Sequence, residues 1–156
     1  VTLAGGLTHP WLTVRTQIAL GVFFVAAALP KIADPPSFAH MIYNYRLLPG
    51  PLVNPASLVM PWAELLLGVA LVCGIWRRTA ASLVGALLLV FIVAISVNLL
   101  RGNAIDCGCF DVADAGKSVG ERIDDMWMVI VRDVGMLLLA VQGLLGARRA
   151  EEAIEG

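Results

Sequence analysis

The sequence predicts an all-α integral membrane protein, a four-helix bundle with a short amphipathic helix in its first outer loop. Three observations predict it. Hydrophobic residues make up 59% of the 156 residues and charged ones only 15%, and the mean hydropathy is +0.84, outside the range of soluble domains. Between Arg78 and Arg101 no side chain is charged. At about 1.5 Å per residue that run reaches roughly 33 Å, enough to cross a hydrocarbon core of about 30 Å. Three further apolar runs of helical length accompany it, and the length of the chain suits one domain. The formal net charge of −1 and the lack of a basic stripe give no footprint for nucleic acid.

The first span covers residues 12–29, from Leu12 to Leu29, and stops at Pro30-Lys31. A signal peptide competes for this segment, because Val25-Ala26-Ala27-Ala28 resembles a cleavage site; a retained helix is the preferred assignment. An outer loop follows at 31–55, rich in proline, within which Ser37 to Leu48 forms the short helix, with Ser37 as N-cap. Phe38, Met41, Ile42 and Tyr45 give it an apolar stripe at three- and four-residue spacing, fit to lie on the membrane or over the mouth of the bundle.

The second span covers 56–76 and contains Pro61 and Glu64; the third covers 79–100. A second outer loop, 101–126, is acidic and glycine-bearing after Phe110 and shows no clear period. The fourth span covers 127–145, with Arg132-Asp133 near its start. Trp11, Trp62, Trp76 and Trp127 fall near span ends, where indole rings favour the headgroup region. Positive charge is densest at Arg77-Arg78 and Arg148-Arg149. This assigns both termini to the cytoplasm and both long loops to the outside. In a bacterium these are the inner (cytoplasmic) membrane and the periplasm, where disulfides persist.

The chemistry-bearing feature is Cys107-Gly108-Cys109 in the second outer loop. Two thiols separated by one glycine can close a small, strained bridge or exchange one with a partner. Strained and exposed disulfides are the oxidising, labile ones, whereas a structural staple gains most from closing a long loop. Cys107 and Cys109 are therefore the candidate catalytic residues. A structural bridge and half of a metal site remain alternatives; His40, Met41 and the nearby carboxylates are the candidate added metal ligands, and no spacing supports them. Asp106 and Asp111 oppose thiolate formation, so Arg101 or Lys31 must offset them. Cys73, toward the other side of the membrane, reads as a small buried hydrophobe.

Charges inside spans are costly and face the bundle interior in pairs. Lys31, Glu64, Arg132 and Asp133, together with Asn98, place a polar group from every span in one layer. The layer either clamps helix register, or carries protons during thiol chemistry, or binds a quinone headgroup.

These residues resemble a known family. Phe24-x5-Pro30-Lys31-Ile32-Ala33-Asp34-Pro35, Phe38-Ala39, Tyr43-Asn44-Tyr45-Arg46-Leu47-Leu48-Pro49, Pro61-Trp62-Ala63-Glu64-x3-Gly68 and Asp106-Cys107-Gly108-Cys109-Phe110 are similar to the MauE branch of the DoxX-like membrane proteins. Arg132-Asp133 suits the same pattern. The resemblance implies a four-helix bundle of the bacterial inner membrane, with Cys107 and Cys109 as the family's cysteine pair. It also implies Lys31, Glu64, Arg132 and Asp133 as its polar positions. Its namesake is associated with maturing the disulfide-rich small subunit of methylamine dehydrogenase alongside a thioredoxin-like partner.

Two functions follow as expectations. In the first, one of the two vicinal thiols forms a mixed disulfide with a periplasmic protein and the other resolves it. Electrons then leave to a thioredoxin-like partner or a membrane quinone, because no second cysteine pair lies on that side. In the second, the chain is a non-catalytic accessory subunit of a larger electron-transfer or energy-converting complex, docked through Gly68, Gly85 and Gly135. A transporter is disfavoured, since four helices without repeats offer little for alternating access. No cofactor motif is evident.

Overall fold

The computed structural model describes residues 9–105 and 118–155, with side chains described as far as Ala147. All regular structure among them is helical: α1 (Pro10–Ala33), α2 (Pro35–Asn44), α3 (Gly50–Cys73), α4 (Arg77–Leu100) and α5 (Val119–Glu155). α1, α3, α4 and the Val119–Ala147 part of α5 are long and apolar enough to span a membrane, and the protein is a four-helix membrane bundle. α1 packs most extensively on α3 and α4 on α5, with α1 also against α5; the α3–α4 seam is thin. One end of the bundle carries the tight α3–α4 turn. The other is covered by α2, and is called here the covered end.

Several boundaries differ from those the sequence suggested, each for a local reason. α1 runs through Pro30 to Ala33, its last turn held by the buried Lys31. The proline-rich 31–55 segment is mostly helix, because α3 begins at Gly50 with Pro51 in its first turn, where a missing N–H breaks no hydrogen bond. α2 starts at Pro35, capped by Asp34 and not by Ser37. The Ser37 hydroxyl donates to Asp34 Oδ2 at 2.7 Å and its backbone N–H to Oδ1 at 3.2 Å. These bonds, the hydroxyl's first, hold the Asp34 carboxyl below its ordinary pKa. α2 ends four residues before Leu48, where Arg46 turns to φ 50° ahead of Pro49.

α5 starts at Val119 and not at Trp127. Ser118 and Glu121 close a capping box: the Ser118 N–H and hydroxyl donate to Glu121 Oε2 at 2.8 and 2.7 Å, satisfying the first turn. Trp62 and Trp127 therefore sit within helices, not at their ends, on exposed faces.

Two backbones come into direct contact where α1 crosses α3. A Cβ on Gly21 would lie 2.6 Å from the Gly68 carbonyl oxygen, and one on Gly68 2.8 Å from that of Gly21. Only paired glycines let the backbones meet so closely. Leu20, Phe24, Leu71, Val84, Leu88 and Met136 form the core beneath the charged layer. Ile95, Ile105 and Met126 form a second cluster at the covered end.

Candidate functional site

Lys31, Glu64, Arg132 and Asp133 converge inside the bundle. Glu64 is 14 residues from the start of α3 and Asp133 14 from the start of α5, roughly 20 Å along each helix. The layer is thus deeper than a second span beginning at residue 56 implied. The Lys31 ammonium donates to both Glu64 carboxylate oxygens, at 2.8 and 2.7 Å, and both side chains are almost fully buried. Phe38 and Phe91 present their faces to the same ammonium, with centroids 5.4 and 5.3 Å away.

Arg132 forks onto its neighbour: Nε and Nη2 donate to Asp133 Oδ1 at 3.0 and 2.8 Å. Its guanidinium lies over the Phe23 ring, 5.0 Å from the centroid. Asp133 is 1% exposed. The two ion pairs line one void of about 20 Å³, the size of a single water. Two cations and two carboxylates thus balance in one buried layer, as the cost of an isolated charge in a bilayer requires.

Asn98 does not join this layer. Fully buried near the end of α4, its Nδ2 donates to the Tyr45 and Ala94 carbonyl oxygens at 3.1 and 3.0 Å. It thereby ties the chain just after α2 to α4.

Cys107 and Cys109 lie outside the described residues, as do Asp106 and Asp111. Cys73 is free and exposed at the end of α3, which overturns its assignment as a buried hydrophobe. α3 turns its small-residue face, Gly68 included, onto α1 and leaves Cys73 outward. His40 is exposed and within 3.4 Å of Asn44, whereas its neighbour Met41 is buried. Among the described residues no three His, Cys, Asp or Glu side chains are placed to hold a metal ion. Of the three docking glycines, Gly68 is used inside the bundle and Gly85 faces Leu137 and Ala140. Only Gly135 has open space around it.

Two features escaped the sequence reading. One is a cavity of about 240 Å³ between α2, α3 and α4, apolar except for Lys31 at its floor. Its signal was the stripe of Phe38, Met41, Ile42 and Tyr45, expected either on the membrane or over the mouth of the bundle; it covers the mouth, and beneath it lies a hollow. The other is a polar seam between α1 and α5 near the turn end. There the Thr16 hydroxyl donates to Gln142 Oε1 at 2.8 Å and Gln17 Nε2 to the Gly143 carbonyl at 3.3 Å. Thr13, Thr16 and Gln17 stand at helical spacing, which was the available sign.

Comparison with known proteins agrees with this arrangement. The family described as methylamine utilisation protein MauE matches residues 9–146, a range that contains every candidate residue. The methylamine utilization protein MauE of Methylorubrum extorquens is 36% identical over 135 residues, 86% of this chain and 69% of that protein. That of Paracoccus denitrificans is 34% identical over 140 residues, 89% of this chain and 72% of that protein. That of Methylophilus methylotrophus is 39% identical over 104 residues, 66% of this chain and 55% of that protein. No solved structure matches the chain. With nearly the whole bundle and its buried charges inside the matched range, the chain belongs to the MauE family of methylamine utilisation proteins.

Proposed function

We propose that this chain is a membrane accessory protein for the oxidative maturation of a periplasmic partner, acting through Cys107 and Cys109. By analogy with its relatives' names, the partner belongs to methylamine utilisation, and the disulfide-rich small subunit of methylamine dehydrogenase is the candidate. The bundle sits in the bacterial inner membrane with both termini cytoplasmic, so that the thiol loop meets an oxidising space.

In this function the Cys107–Cys109 disulfide accepts two electrons from two partner thiols. A partner thiolate attacks one sulfur to give a mixed disulfide. The second partner thiolate then displaces the cysteine, leaving the partner's new disulfide and two reduced, protonated thiols here. Return to the disulfide hands two electrons and two protons to a thioredoxin-like protein's disulfide or to a membrane quinone. The observation that carries this is the vicinal thiol pair within the family's matched range. The Lys31–Glu64 and Arg132–Asp133 pairs support the loop's scaffold and are candidates for moving its protons.

Gly135, on an exposed face with open space around it, favours a second reading, a non-catalytic subunit docked in a larger electron-transfer complex. Trapping separates the two. With Cys109→Ser and Cys107→Ser each expressed in full-length protein, one variant is expected to accumulate a mixed disulfide with a periplasmic protein. The adduct should be lost on reduction. If neither variant traps a partner under oxidising conditions, the docked-subunit reading replaces the redox one.

A further inference from the structure

The cavity beneath α2 is built to take a ligand from the membrane. Its volume is about 240 Å³ and its walls include Phe38, Met41, Tyr45, Phe91 and Ile95, with Lys31 the sole charged group. Two Lys31 N–H groups are committed to Glu64. The third lies by the faces of Phe38 and Phe91 and borders the water-sized void shared with Asp133, with no further oxygen acceptor among the described residues. Val90, 55% exposed on the lipid-facing side of α4, lines this cavity and also a second hollow. That hollow is a groove of about 470 Å³ along the thin α3–α4 seam, walled by Leu66, Leu67, Leu83 and Leu87. Cavity and groove therefore share Val90 as a wall.

We propose that these two adjoining hollows together bind an isoprenoid quinone, its ring in the cavity beneath α2 and its tail in the α3–α4 groove. The third Lys31 N–H donates to one ring carbonyl oxygen. Charge selects this ligand class over an acyl lipid. Glu64 already neutralises Lys31, so an anionic carboxylate or phosphate would meet a carboxylate 2.7 Å behind the ammonium, whereas a neutral carbonyl needs only the free N–H. Aromatic and thioether walls suit a flat ring better than a flexible chain. Val90, exposed between the two hollows, is where a ligand dissolved in the bilayer would enter. This deepens the redox function proposed above and rests on it for its purpose. Two thiols and one quinone give one disulfide and one quinol, two electrons and two protons passing to the ring. Binding itself does not depend on the thiols.

The test is photolabelling of the purified full chain in lipid nanodiscs with a short-tailed azidoquinone, after the cysteines have been alkylated. Label is expected in the segments 38–48 and 87–95, displaced by unlabelled decylubiquinone but not by oleate or phosphatidylglycerol. Val90→Trp changes a lipid-exposed position and leaves the fold intact; it should cut labelling about tenfold by blocking the junction, as should Ala94→Trp from inside. Lys31→Met with Glu64→Leu, which removes the donor without stranding a charge, should weaken affinity about two- to tenfold. Label spread evenly over the lipid-facing helices, or displaced equally by oleate, would overturn the proposal. Because alkylated protein is used, labelling without any trapped mixed disulfide refutes the redox function and leaves the quinone site standing. A trapped partner without site-specific labelling does the reverse.

Discussion

Lys31 is the side chain on which most of the structure turns. Its stem leaves α1 at the last turn, its charge is matched by Glu64 from α3, and its remaining face is closed by Phe38 of α2 and Phe91 of α4. Removing one partner of such a pair leaves a buried charge unmatched, which costs roughly 3–5 kcal/mol, whereas replacing both by apolar groups of similar volume is close to neutral. Lys31→Met alone should therefore lower the thermal unfolding midpoint in detergent sharply. The pair Lys31→Met with Glu64→Leu should recover most of the loss. A single variant as stable as the parent would mean the ion pair does not organise the layer. That these charges share one layer was legible from their depth, since charges in apolar spans face inward in pairs; which cation meets which carboxylate was not, because two of each were on offer. The aromatic faces around them were not, because Phe38 and Phe91 carry no mark that distinguishes them from ordinary core or lipid-facing residues.

Helix positions were legible where hydrophobicity is uninterrupted and misjudged where proline or a cap decides. α4 matches its uncharged run closely because nothing in that stretch competes with a helix. The start of α3 was placed late because prolines were read as loop marks, although Pro51 occupies the first turn, where a missing N–H costs nothing, and Pro55 and Pro61 lie within the helix. α5 was placed late as well, because the acidic, glycine-bearing stretch after Phe110 suggested a loop to residue 126 when Ser118 and Glu121 already spelled a capping box. The crossing of α1 over α3 depends on Gly21 and Gly68 standing face to face. Gly68→Leu would force the backbones apart and cost about 1–3 kcal/mol or more. It is expected to separate Lys31 from Glu64, seen as a lower thermal unfolding midpoint in detergent. An unchanged midpoint would show that the close approach is dispensable.

The four spans form a bundle whose two ends differ in build. The turn end has a tight α3–α4 connection at Gly74, with φ 72°, and a neutral polar seam of Thr13, Thr16, Gln17 and Gln142. The covered end has a lid helix, a cavity, and the balanced charge layer beneath it. That asymmetry suits a protein whose chemistry takes place on one side of a membrane. The bundle itself was readable from composition, and the identity of the buried charges from their isolation. The cavity was not, because a hollow arises from how α2 bridges α3 and α4, a relation between distant segments that no local pattern encodes.

The proposed function stands or falls on Cys107 and Cys109 facing an oxidising compartment in an exchangeable state. The decisive measurement titrates the pair against glutathione redox buffers in intact spheroplasts, read with a membrane-impermeant thiol reagent. The account predicts labelling from the outside and a midpoint between about −270 and −120 mV, the span of known exchange-active pairs. A midpoint below about −300 mV, where inert structural bridges lie, or protection from the external reagent at every potential would contradict it.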